Sequence, residues 1–188
     1  MSLHAKLARL RRIESRARAQ TWRRLHPGIE VGRGVRVGRR CRLFLDPQAR
    51  LTLADGCIVD DGTTIAVYGQ GHIDLGSGSF VGHHCTLAAR ETIRVGPGAF
   101  LAELVSVRDH DHAVGYPPSS GRTTVESVFI GADAWIGAKV TVLRGAEVGE
   151  GTVVGANSVV RGQLPPGTIC VGAPARVIRA VGSESGVD

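Results

Sequence analysis

Aromatic residues make up only 4% of the 188 positions. That is too few to stack nucleic-acid bases, so no nucleic-acid partner is expected despite a net charge of +6 and a pI near 9.8. The four cysteines (Cys41, Cys57, Cys85, Cys170) show no CxxC spacing, which argues against a zinc knuckle or a redox pair. No apolar run approaches the roughly 18 residues of a membrane span. The N-terminus lacks the apolar core of a secretory signal, and the compartment expected is the cytoplasm. At 43% apolar and 21% charged residues, the chain is not globally disordered. What it has in excess is glycine, 26 residues.

The basic charge is local. Residues 1–28 read as a basic amphipathic helix stopped at His26-Pro27-Gly28, with Leu3, Leu7, Leu10, Ile13 and Ala17 at helical spacing. Eight basic residues against the single acid Glu14 give residues 1–26 a charge of +7, which leaves the rest of the chain at −1. The leucine face is expected to dock on the first coil and cap its core. The alternative is peripheral contact with an anionic membrane surface.

From residue 29 to 180 an aliphatic residue followed by a small one returns every six positions. Val31, Val37 and Leu43 begin the series, and Val148, Val154 and Val160 end it. Inward positions of a strand differ by two. The residue four beyond each leading one therefore faces the same way, and it is small (Cys57, Thr63, Ser79, Cys85, Ala134, Ala146). Three hexapeptides make one turn of a triangular prism with an aliphatic column inside. Glycine serves the corners, and the thin column leaves no room for aromatics. This predicts an all-β fold, a parallel β-helix of hexapeptide repeats with an N-terminal α-helix, one long inserted loop and a flexible tail over 181–188. Cys41, Cys57 and Cys85 fall at small inward positions and read as structural thiols, as does Cys170.

The register breaks four times, after Leu43, Ile65, Leu87 and Val107, always behind the third hexapeptide of a turn. The breaks should therefore stack at one corner. The last is a 17-residue excursion at about 108–126, which begins in Ser106-Val107-Arg108-Asp109-His110-Asp111-His112. Histidine beside a carboxylate is the pattern of a general base near neutral pH. One of the His83-His84 pair, a turn earlier, is expected to project on the side that the excursion covers and could hold an acceptor.

The hexapeptide run, the His-bearing excursion and the closing stretch Val160–Gly167 then Gly172-Ala173-Pro174-Ala175-Arg176-Val177-Ile178 resemble the hexapeptide-repeat acyltransferases. The branch they are most similar to is that of the galactoside, maltose and exopolysaccharide O-acetyltransferases. The resemblance implies a left-handed coil, a homotrimer with the cleft between subunits, acetyl-CoA as acyl donor and a sugar or glycan hydroxyl as acceptor. It implies His112 or His110 as base, with His112 favoured, and Asp109 or Asp111 as the carboxylate partner. Trp135 would wall the cleft or anchor the trimer. Ala138 and Ala156 would lie along the pantetheine arm, and Arg161, Arg176 and Arg179 would meet the phosphates. Two features depart from the family. Arg161-Gly162-Gln163 stands where Thr-Lys-Asp is usual, and a simple basic helix replaces a bulkier N-terminal module. Two other functions fit parts of the sequence, namely N-acetyl transfer to an amino sugar and a non-catalytic β-helix scaffold. A γ-class carbonic anhydrase is set aside because the close His pair is two apart rather than five and no His follows His112. No metal is expected.

Overall fold

The structure is a computed structural model and describes residues 3–182. A helix, Leu3–Leu25, leads into a prism whose short strands fall in turn on three faces. The first face has seven parallel strands, from Ile29–Val31 to Gln163–Leu164. The second runs from Arg36–Val37 to Thr168–Gly172 and is closed by the antiparallel strand Ala175–Ala180. The third has six strands, from Arg42–Leu45 to Val159–Val160. The coil is a left-handed β-helix, the hand opposite to ordinary parallel crossovers. Of the tail over 181–188, residues 183–188 lie outside the described residues.

The leading residues stack in register. Leu53 pairs with Leu75, Leu75 with Val95, Val95 with Ile130 and Ile130 with Val148. Leu51, Leu53, Ile65, Ile73, Leu75, Leu87, Ile93, Leu101 and Ile136 are fully buried, and so are the small inward residues Thr63, Ser79, Ala99, Ala134, Ala146 and Thr152. Each large aliphatic side chain so placed contributes about 1.5–3 kcal/mol of transfer free energy. The corners are tight enough to specify glycine. At Gly96 an added Cβ would sit 2.5 Å from the backbone nitrogen of Ala132, one rung below.

The helix docks on the open end of the prism, and the described residues of the expected leucine face stay outside the contact. Ala19 is fully buried and Trp22 packs against the core, while Leu10 and Ile13 remain 55% exposed and Ala17 faces solvent. The Leu3 and Leu7 side chains lie outside the described residues. The physical reason is at the first coil, whose edge leaves polar backbone to satisfy. Arg18 Nε donates to the Val37 carbonyl at 2.9 Å, and Arg39 pairs with Glu14 at 2.9 Å. These contacts turn the Ala19–Trp22 side inward, so it is this side that covers the column's end.

Candidate active site

The four register breaks do stack at one corner, between the third and first faces. The longest one forms an antiparallel hairpin arm. Strand His110–His112 pairs with Thr123–Val125 in the register His110–Val125 and His112–Thr123. The Glu126 N–H donates to the Asp109 carbonyl at 2.8 Å and closes the arm at its root. At its tip Val114 is 99% exposed, and Tyr116 is half-exposed beneath the Arg122 guanidinium.

Asp109 sits at the bend where the prism strand becomes the arm, and no part of it reaches solvent. Its carboxylate accepts the backbone N–H groups of Arg90 (2.9 and 3.0 Å) and Glu91 (2.7 Å) from the rung above. His110 Nδ1 lies 2.8 Å from Asp109 Oδ1. An ionised carboxylate can only accept, so Nδ1 is the donor in this contact, which leaves Nε2 as the nitrogen facing away from the acid. The imidazole is 12% exposed and meets the edge of Tyr68 at 6.1 Å between ring centroids. A histidine held through Nδ1 by a buried acid is the arrangement required of a general base. His112 is exposed on the arm, and its neighbour Asp111 points instead to Arg144 at 3.2 Å. Asp109 and His110 are thus brought together, and His112 stands apart.

Sequence reasoning missed three contributors. Tyr68 and the Arg90-Glu91 backbone belong to earlier breaks of the same corner, and only the stacking of breaks could have pointed to them. Arg144 holds both strands of the arm, with Asp111 at 3.2 Å and Glu126 at 2.9 Å. Gly145 makes this possible. Its φ is +69°, and a Cβ there would collide with the Glu126 carboxylate.

The other expected residues gather elsewhere. His83 and His84 do not lie on the side of the excursion. They occupy the corner between the second and third faces, where His83 Nε2 contacts Asp60 at 3.2 Å and His84 adopts φ +55°. Each hexapeptide advances the chain by one face, so a residue leading a second hexapeptide is followed by the opposite corner. Ala138 and Ala156 lie on that same corner in successive coils, joined by the Asn157 N–H to the Ala138 carbonyl at 2.9 Å. Trp135 projects from the second face, 53% exposed. Arg161 is exposed at the third-to-first corner, and Arg176 and Arg179 are exposed on the closing strand. The thiols behave as packing. Burial pushes Cys57 and Cys85 each up to about 11, and all four cysteines are free.

Residues 127–162 match the family model described as bacterial transferase hexapeptide (six repeats). The chain is 30% identical to WbbJ of Escherichia coli (strain K12), named as a lipopolysaccharide biosynthesis O-acetyl transferase, over 78% of this chain and 83% of that protein. The chain belongs to the hexapeptide-repeat acyltransferases. It is also 29% identical to the galactoside O-acetyltransferase of Escherichia coli (strain K12), over 61% of this chain and 56% of that enzyme. The fold recurs in AntD, an N-acyltransferase of Bacillus cereus, with a TM-score of 0.75, 21% identity and coverage of 86% and 89% of the two chains. In this acyltransferase the described residues include no group of three or more His, Cys, Asp and Glu able to hold a metal ion. None of its described helices is long and apolar enough to cross a membrane.

Proposed function

We propose that this acyltransferase moves an acetyl group from acetyl-CoA to a hydroxyl of a sugar or glycan, with His110 as the general base. The observation that carries the mechanism is the Asp109–His110 pair. Nε2 of His110 takes the hydroxyl proton as the oxygen attacks the thioester carbonyl. Buried Asp109 stabilises the imidazolium that forms, and the proton passes to the departing thiolate. The attack is direct, without an acyl-enzyme. A base so placed is worth roughly 10²–10⁴-fold in rate.

The working unit in this reading is a homotrimer. His110 and its arm stand at one corner of the prism, while His83, Trp135, Ala138 and Ala156 line another corner and its adjoining face. A flat-sided prism brings two corners together only across a subunit boundary. The second face carries an outward ladder of Ile58, Phe80, Phe100 and Trp135 in register, with Phe80 and Phe100 stacked at 4.6 Å. Such an exposed ladder, on a chain whose arm at the opposite corner has an uncovered apolar tip, supports this assembly. The arm of one protomer then delivers His110 to the second-to-third corner of its partner. Ala138 and Ala156 give the pantetheine arm close access to the backbone, and Arg161, Arg176 and Arg179 receive the coenzyme's phosphates. In this reading the enzyme works in the cytoplasm, where acetyl-CoA is available.

The test is thiol release from acetyl-CoA across a panel of sugars and amino sugars. Release with hydroxyl acceptors that lack an amine is expected. Release confined to amino sugars would replace the reading with N-acetylation.

A further inference from the structure

The helix and the prism do not close on each other along their whole length. Between them runs a groove of about 820 Å³, with Arg36, Ile58 and Val59 of the second face along one side and His83 at its margin. Six arginines line it, Arg9, Arg11, Arg12 and Arg18 from the helix and Arg36 and Arg39 from the first coil. The carboxylates nearby are already engaged. Glu14 takes Arg39 at 2.9 Å and lies 3.8 Å from Arg18. Asp60 takes His83, and an Asp61 oxygen accepts the Arg39 backbone N–H at 2.6 Å. The guanidinium groups of Arg12 and Arg36 have no hydrogen-bonded or ionic partner among the described residues.

Gathering like charges along a concave surface raises its potential and favours an anion there. Guanidinium geometry matches the paired oxygens of phosphate. The position of the groove in the coil narrows the choice of ligand. The strands Arg36–Val37, Ile58–Val59, Phe80–Val81 and Phe100–Leu101 are successive rungs of the second face, each about 4.8 Å from the next. The groove spans the first two of these rungs and has His83 of the third coil at its margin, and His110 belongs to the fourth coil. Arg161, Arg176 and Arg179 lie at the far end of the prism, in the last coil and the closing strand. The chain therefore has a basic region on either side of its base along the prism axis, and the coenzyme accounts for only one of them.

We propose that the groove seats the phosphate of the acceptor, making the preferred substrate a sugar phosphate or a diphosphate-linked glycan rather than a free sugar. The acceptor role rests on the acetyl-transfer reading above, whereas binding of phosphate in the groove does not. An uncharged sugar would give these guanidinium groups nothing to hold. The same diphosphate chemistry occurs on soluble nucleotide-linked sugars and on lipid-linked ones.

Two measurements test this on the full chain. The first is calorimetric titration of inorganic pyrophosphate into the wild type, Arg161→Gln and the double variant R12Q/R36Q, with circular dichroism as a check on folding. The proposal expects a site that persists in Arg161→Gln and is weakened at least tenfold in R12Q/R36Q. Wild-type pyrophosphate affinity in R12Q/R36Q overturns it. So does adsorption of the wild type to phosphatidylglycerol vesicles without any pyrophosphate binding, which would assign the arginines to a membrane surface.

The second is thiol release with one sugar offered free, as its UDP derivative, and linked through a prenyl diphosphate in phosphatidylcholine vesicles. A KM at least tenfold lower for one of the diphosphate forms is expected, and that form identifies the source. R12Q/R36Q should erase the difference. Equal KM for all three forms overturns the acceptor assignment. No thiol release from any form, with pyrophosphate still bound in the groove, defeats the transferase reading and leaves the anion site standing.

Discussion

Arg144 Nη1 lies 2.9 Å from Glu126 Oε2, and the same guanidinium reaches Asp111 on the opposite strand of the arm. One side chain on the prism thus ties down both strands of a hairpin that otherwise leaves the body of the protein. Arg144→Gln should free the arm while sparing the column. These ion pairs are partly exposed and are worth about 1 kcal/mol at most, so the melting temperature should fall by only about 2–4 °C. The acetyl-transfer efficiency kcat/KM should drop about tenfold or more, because a 1 Å error in placing a base is costly. Limited proteolysis should cut the variant first within residues 113–122.

The apolar ladder on the second face carries the prediction of assembly. Phe100 is stacked on Phe80 and 43% exposed, so Phe100→Asp removes no core contact. It would place a charge at the centre of the proposed interface, where an unpaired charge costs several kcal/mol. Sedimentation should show a trimer for the wild type and a monomer for the variant. The monomer should be inactive, because His110 would no longer face a partner's acceptor corner. A wild-type monomer with full activity would contradict the shared site.

The buried thiols predict a loss of stability in alkali. Cys57 and Cys85 each have an ordinary value of 9.0 that burial pushes up to about 11. Between those values the unfolded chain gives up its thiol protons while the folded chain keeps them. Stability is therefore full below about pH 9 and falls as the pH rises toward 11, by roughly 2–3 kcal/mol for each thiol. The chain has only two Lys and two Tyr, so few other groups titrate in this window. Urea midpoints at pH 8 and pH 10.5 should differ clearly in the wild type and much less in Cys57→Ala/Cys85→Ala.

Asp109 has three donors directed at it, from Arg90, Glu91 and His110. Asp109→Asn would present an NH₂ group to at least one of them. Leaving a buried donor unpaired costs about 1–3 kcal/mol, so a lowered melting temperature is expected. The imidazole would also lose the acceptor that fixes its tautomer, and kcat should fall roughly 10²–10⁴-fold.

The prism was readable because its code is local. A six-residue period fixes which side chains face inward, and every leading residue from Val37 to Val160 does so. The corner of the candidate site was readable for the same reason, since register breaks behind a third hexapeptide must stack. Orientation around the site was less readable. A position one turn before the arm suggests that one of His83 and His84 faces it, whereas one hexapeptide advances the chain by one face and takes both to another corner. The resemblance to the family's pattern of Asp-x-Asp/Asn followed by His favours His112 over His110, and nothing in Asp109-His110-Asp111-His112 announces which acid is drawn inward. That choice depends on the Arg90 and Glu91 amides one coil earlier, 19 and 18 residues away. The helix docks by Ala19 and Trp22 for a similar reason. Helical periodicity identifies an apolar stripe, but the polar edge of the first coil selects the face that meets it.

In the proposed mechanism His110, held by Asp109, deprotonates the acceptor. The most direct measurement is the initial rate of thiol release from acetyl-CoA by His110→Ala and His112→Ala, assayed side by side with the best acceptor. His110→Ala should lose at least a hundredfold in kcat while retaining its affinity for coenzyme A, and His112→Ala should stay within tenfold of the wild type. Wild-type turnover by His110→Ala, or a deep loss in His112→Ala alone, would contradict the mechanism.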